Sequence, residues 1–154
     1  MSEIKTTVSV AAIQNGTVID HIPCGQAFRL IQLLGLQDKH NKLTIGLNLP
    51  SRQLGLKDLL KIENHYLADA EASKITILAP QATINIIRQF VVEKITAALP
   101  TNISDVFICP NTACITHVEP VETIFSVAQH GKQVTLTCQY CEKSFDRNQM
   151  KVKV

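Results

Sequence analysis

The sequence predicts an α+β fold in two parts, and three observations carry that prediction. The first hundred residues alternate β-rich runs with two stretches whose apolar residues recur at helical spacing. The last 54 hold four of the five cysteines in two tight pairs, with short β-like runs around them and no convincing helix. Leu99-Pro100 followed by Thr101-Asn102 makes a joint between the two. The expected domains are therefore 1–100 and 101–154.

Each element follows from local pattern. Residues Thr7 to Ile13 (TVSVAAI) are rich in Val and Ala, and Asn15-Gly16 supplies a turn signal after them, which predicts a first strand. Thr17 to Ile22 (TVIDHI) resumes an extended, β-branched run that Pro23 interrupts, placing Asp20 and His21 side by side where polar side chains can face a ligand. From Gly25 to Leu34, Ala27, Leu30, Ile31 and Leu34 fall at helical spacing, with Gly35 where a C-terminal cap belongs. Leu43 to Leu49 alternates apolar with small or polar residues until Pro50, a strand pattern. In Leu56 to Tyr66, Leu60, Ile62 and Asn64 alternate with Lys61, Glu63 and His65, so a strand is expected from which Lys61 projects on one face. Leu67, Ala70 and Lys74 mark a second helix over Leu67 to Ile77, which Pro80 ends. Ala82 to Ile87 and Phe90 to Thr96 are β-rich and divided by Arg88-Gln89, as in a hairpin, with Asn85 and Lys94 as polar interruptions. The order is that of a ferredoxin-like α/β sandwich, an antiparallel sheet with helices on one face and an extra strand at the end.

The cysteines organise the second part. Cys109 and Cys114 are separated by four residues in CPNTAC, Cys138 and Cys141 by two in CQYC, and a 23-residue insert lies between the pairs. Each pair can turn two sulfurs to one point, and two such loops build a tetrahedral thiolate site suited to zinc. Four thiolates leave no open position, so the site reads as structural: a small all-β zinc ribbon of rubredoxin-like type. Disulfides are disfavoured without a signal peptide, and a redox Cys-x-x-Cys would leave the matching pair unexplained. A segment this short buries too little apolar surface to be secure alone, so metal must supply much of its folding free energy. Cys24 stands apart and reads as a small apolar residue.

Composition excludes several classes. An apolar content of 45% is ordinary for a globular chain. No apolar run approaches membrane-spanning length, and no export signal opens the chain, so the expected location is the cytoplasm. Net charge is +2, with ten Lys or Arg against eight Asp or Glu in the first hundred residues and five of each thereafter. That balance, with two Tyr and five Phe, argues against a zinc-ribbon adaptor carrying an RNA-binding sheet. A thiol redox enzyme is the third reading, and it predicts titratable reactive cysteines.

GTVIDHIP at Gly16 to Pro23, TIGLNLPS at Thr44 to Ser51, KDLLKIEN at Lys57 to Asn64, APQATIN at Ala79 to Asn85, and CPNTAC with CQYCEKSF together span the chain. In that order and spacing they resemble the regulatory chain of bacterial aspartate carbamoyltransferase. The resemblance implies a non-catalytic subunit whose N-terminal domain binds CTP, ATP and UTP as allosteric effectors in the control of pyrimidine biosynthesis. It also implies one structural zinc ion per chain, held by Cys109, Cys114, Cys138 and Cys141, in a domain that docks on the catalytic chain. Regulatory dimers would bridge catalytic trimers, with CTP inhibiting, ATP activating and UTP acting with CTP.

By the same resemblance the effector pocket falls on Ile13, Val18, Asp20, His21, Lys61, Asn85, Phe90, Val92 and Lys94. His21 and Lys94 would offer positive charge to a triphosphate, Lys61 would donate to ribose or base oxygens, and Asp20 would accept from ribose hydroxyls. Main-chain groups around Ile13 and Phe90 would read the base edge. Asn111, Glu142 and Lys143 match positions that face the catalytic chain. The chain departs from the enterobacterial pattern at Phe90, which replaces Tyr, at Ala113, which replaces Asn, and by one residue fewer between Asn85 and Leu99.

Overall fold

A computed structural model describes residues 12–153. The strand expected at Thr7 to Ile13 lies outside the described residues up to residue 11. Five strands form one sheet: β1 (Gly16–Pro23), β2 (Leu43–Ser51), β3 (Gly55–Glu63), β4 (Thr83–Arg88) and β5 (Val91–Ile95). Their order is β2-β3-β1-β4-β5, and every pair is antiparallel. Helices α1 (Ala27–Leu33) and α2 (Asp69–Leu78) complete the expected sandwich. Alternation made the inner face legible, because Ile19, Leu60, Ile62, Ile84 and Ile86 all point to the buried side. Ile19, Leu60, Ile62 and Ile84 pack in one core with Leu30 and Leu33 of α1 and Ile75 and Leu78 of α2.

Three local expectations are corrected. The buried stripe of α2 runs through Ala72, Ile75 and Leu78, while Ala70 is exposed. Leu67 precedes the helix, which begins after Ala68, whose backbone N–H donates to Glu71 Oε1 at 3.1 Å. The β4–β5 turn is made by Gln89 and Phe90, both left-handed at φ 50° and 66°, and Arg88 stays in the ladder opposite Val91. Two successive left-handed residues suit the right-handed twist of a hairpin, and glycine or asparagine would be usual there. Here the Phe90 N–H donates to the Gln14 carbonyl and the Gln89 N–H to Asn15 Oδ1, each at 2.9 Å, which holds the strained pair in place. Cys24 is exposed, not packed as a small apolar residue, because it sits in the turn after Pro23 with Sγ 2.7 Å from Asn48 Oδ1. The Gly35 cap is as expected, left-handed at φ 64°.

Asp58 explains where α1 starts. No side chain near Gln26 caps that helix. Instead Asp58, fully buried on β3, accepts from the Gly25 N–H at 2.9 Å and the Ala27 N–H at 3.3 Å through Oδ2, and from the Asn48 N–H at 3.2 Å through Oδ1. Bulges in β1 between Ile19 and Ile22 and in β2 between Gly46 and Leu49 bend both neighbouring strands around this carboxylate.

The C-terminal part is all-β, as expected. β6 (Asn102–Ser104), β8 (Ile124–His130), β9 (Gln133–Cys138) and β10 (Ser144–Asp146) form a sheet in the order β10-β9-β8-β6. β7 (Phe107–Ile108) and β11 (Lys151–Val152) pair separately. Phe107, Phe125, Leu136 and Met150 fill its interior, continuous with the core beneath α1 and α2. Among the described residues no helix is long and apolar enough to cross a membrane.

Candidate functional sites

Residues directly opposite one another in a ladder share a sheet face. Lys61 of β3 opposes Val18 of β1, Val18 opposes Asn85 of β4, and Asn85 opposes Lys94 of β5. These four therefore form one row across four strands, on the face that α1 and α2 leave open. Strand spacing makes the row about 14 Å long at the backbone. Thr44 of β2 opposes Lys61 and extends it. Local pattern does not reveal Thr44, because register is a property of pairing.

Polar groups gather beyond one side of the row. Asp20 opposes Thr83, and its carboxylate sits 2.9 Å from Lys57 Nζ. The bulge turns His21 left-handed at φ 56°, which lets its N–H donate to Asp20 Oδ1 at 2.7 Å and sets Nδ1 3.1 Å from Thr83 Oγ1. Lys57 and Thr83 belong to this cluster and were not singled out in the sequence. Apolar groups gather beyond the other side: Ile13 is buried, while Val92 and Phe90 are 60% and 63% exposed. Lys61 is almost wholly buried at 8%, and that burial lowers its pKa below the ordinary lysine value, with Asp20 partly restoring it.

The four cysteines meet in the C-terminal part. Their Sγ atoms all lie within 4.8 Å of one another. Cys109–Cys141 and Cys114–Cys138 are each separated by 3.8 Å. A tetrahedral ion with metal–sulfur bonds of about 2.3 Å has sulfur–sulfur edges of about 3.8 Å, so these two edges already have the length of those in a four-thiolate site. Each pair sits on a tight backbone turn. The Cys114 N–H donates to the Asn111 carbonyl at 3.0 Å, and the Glu142 N–H to the Cys138 carbonyl at 2.9 Å. Glu142 is left-handed at φ 63°, a conformation glycine would adopt more cheaply. Asn111, Glu142 and Lys143 are thus parts of the cysteine loops themselves.

The thiols differ in acidity. Burial opposes ionisation of Cys141, but hydrogen bonds from the Asn111 side chain and the Lys143 backbone and the neighbouring thiols outweigh it, leaving a pKa of about 6. Burial raises Cys109 and Cys138. Cys114 is lowered against its burial, chiefly by Thr116, whose hydroxyl donates to Sγ at 3.2 Å. His117 Nε2 lies 2.9 Å from the Cys109 carbonyl and braces the first loop. Neither Thr116 nor His117 was visible as a site residue in the sequence. Beside the loops, Ile115, Val118, Val121 and Tyr140 form an exposed apolar fringe.

A family model described as the aspartate carbamoyltransferase regulatory chain, allosteric domain, matches residues 8–98. A second, described as the metal binding domain of the same chain, matches residues 101–151. The chain is 48% identical over 145 residues to an aspartate carbamoyltransferase regulatory chain of Vibrio cholerae serotype O1, with 94% of each covered. It is 50% identical over 142 residues to that of Photorhabdus laumondii subsp. laumondii, with 92% of each covered. The corresponding chain of Proteus mirabilis is 47% identical over 142 residues, covering 92% of this chain and 93% of that one.

Proposed function

This chain belongs to the aspartate carbamoyltransferase regulatory chain family, and from that premise we propose that residues 1–100 bind nucleotide effectors on the open sheet face while residues 101–154 hold zinc and dock on the catalytic chain. Its role is regulatory and not catalytic. The observation that carries the nucleotide reading is the row Lys61, Val18, Asn85, Lys94. A lysine stands at each end of it, with amide and aliphatic surface between, and Asp20 and His21 close by. Such a row suits a ligand that is anionic at one end and carries a ribose and a flat base. Lys94, exposed on the edge strand, and His21 serve the phosphates, and Lys61 donates to ribose or base oxygens. Main-chain groups around Ile13 and Phe90 read the base edge, which lets CTP, ATP and UTP share one site.

Zinc suits the four-cysteine cage because it imposes no geometry beyond the tetrahedron that Cys109, Cys114, Cys138 and Cys141 already describe, and four thiolates close it to substrate. When bound, it supplies structure: it clamps the two loops that carry Asn111, Glu142 and Lys143. Those residues, with the apolar fringe around Val118, form the surface for the catalytic chain. Regulatory dimers would then link catalytic trimers in the cytoplasm, where the assembly controls pyrimidine biosynthesis. A nucleotide that binds one quaternary state better shifts the assembly toward it, a coupling typically of about 1 to 3 kcal/mol.

Calorimetric titration of CTP into the zinc-loaded chain tests the nucleotide reading. Saturable binding that ATP competes away, and that Lys61→Ala and Lys94→Ala each weaken by about tenfold or more, is the expected result. Unchanged affinity in both variants would refute the assignment of this face.

A further inference from the structure

Resting on the nucleotide reading above, we infer that Arg29 is a positioning residue that transmits occupancy of the open sheet face to the metal-binding domain, with α1 as the lever between them. Arg29 lies in the first turn of α1. Its guanidinium donates through Nη1 to Gln26 Oε1 at 2.9 Å and through Nη2 to the Arg147 carbonyl at 2.9 Å and to the Met150 carbonyl. Both carbonyls belong to the metal-binding half, at the short 3₁₀ turn Arg147–Gln149 that leads into β11. Gln26 Nε2 adds a weaker contact to Asn148 Oδ1 at 3.5 Å. These three hydrogen bonds carry α1 across to the metal-binding half among the described residues.

The other end of the lever is Asp58. It holds the Gly25 and Ala27 amides, and it sits on β3 between Lys57, which pairs with Asp20, and Lys61 three residues on. A ligand that engages Lys61 and draws on Asp20 acts on the strand segment from which the first turn of α1 hangs. Displacement of that turn moves the guanidinium, and the Arg147 and Met150 carbonyls move with it. Arginine is required because one planar fork serves three acceptors, which an ammonium on a flexible stem does not reproduce. Burial lowers the Arg29 pKa and the Arg147 charge lowers it further, with Asp146 opposing. Its hydrogen bonds to Gln26, Arg147 and Met150 hold the half-buried guanidinium in place, as a joint and not as a freely solvated charge.

Contiguity alone does not make coupling, so the test reads coupling directly. Amide hydrogen exchange is followed on the full zinc-loaded chain with and without saturating CTP. The Met150 N–H, which donates to the Arg147 carbonyl at 3.2 Å, is the reporter in the metal-binding half, and the Gly25 and Ala27 amides report on the lever. In the wild-type chain CTP slows exchange at all three, about threefold or more. In Arg29→Lys and Arg29→Met the CTP affinity stays within about threefold of wild type and the Gly25 and Ala27 response persists. The Met150 response is lost. A wild-type chain that binds CTP without any change at Met150, or variants that keep that change, overturns the inference while leaving the nucleotide reading intact. A wild-type chain that does not bind CTP overturns both. The wild-type arm can overturn the inference by itself even where a variant folds poorly.

Discussion

Asp58 shows how one side chain can organise several elements. A carboxylate removed from water is tolerated because three backbone amides replace its hydration, and those amides are ones that a helix start and a β-bulge leave without partners. Asp58→Ala would strand them and should cost about 3 kcal/mol of stability in urea titration. Asp58→Asn, which keeps a carbonyl oxygen, should cost about half as much. Lys61 leads to a pH prediction. Because burial lowers its pKa, the free site sheds this proton more readily than an ordinary lysine does. A ribose or base oxygen that accepts from Lys61 favours the charged form, so binding takes up a proton once the pH exceeds the depressed value. CTP affinity should therefore fall as the pH rises through that depressed value toward the ordinary lysine range, and this fall should be absent in Lys61→Ala. A pH-independent affinity in the wild type would show that Lys61 does not touch the nucleotide.

At the scale of elements, the sheet depends on a close approach at its first residue. Gly16 has φ 141°, and a Cβ there would lie 2.0 Å from the Ile62 carbonyl oxygen. Gly16→Ala must therefore push β1 away from β3, where Gly16 pairs with Glu63 and Thr17 with Ile62. The expected cost is about 2 kcal/mol or more, read as a lower urea midpoint. Since Val18 lies two residues on, the same change should weaken CTP binding. The elements also separate what is legible in a sequence from what is not. Strands and helices were found because one face of each is buried, and burial writes a period of two or 3.6 into the chain. The stripe of α2 was misplaced because Leu67 fits a helical period without being helical. The β4–β5 turn was displaced by one residue because Gln89 and Phe90 carry no turn signal; hydrogen bonds from the segment before β1 hold them.

For the whole molecule, the metal centre is the decisive load. In zinc-finger peptides structural zinc contributes roughly 10 to 16 kcal/mol of apparent binding free energy, far more than the small core around Phe107 and Phe125 supplies by itself. Chelation should remove exchange protection throughout 107–141 and release the catalytic chain, and re-added zinc should restore both. Persistent nucleotide control after complete metal loss would show that the docking surface does not need the cage. Metal affinity should also fall as pH falls, because the ligands must be thiolates. Cys109 and Cys138, raised by burial, still carry their protons near neutrality, so at least these two leave on binding; below about 6 even Cys141 must be deprotonated by the ion. Metal competition titrations at several pH values measure that slope.

By itself the sequence determined the α+β class, the β and helical segments, and the four cysteines as one group, since each of these is written in local periodicity or spacing. Only tertiary structure decided that Lys61, Val18, Asn85 and Lys94 stand in one row, because strand register is settled by pairing between segments far apart in the chain. It alone placed Asp58 beneath α1 and the Arg29 guanidinium on the carbonyls of Arg147 and Met150. A backbone amide or carbonyl is present at every residue and leaves no mark in the sequence. Which of them a buried charge will hold depends on where the folded chain brings them.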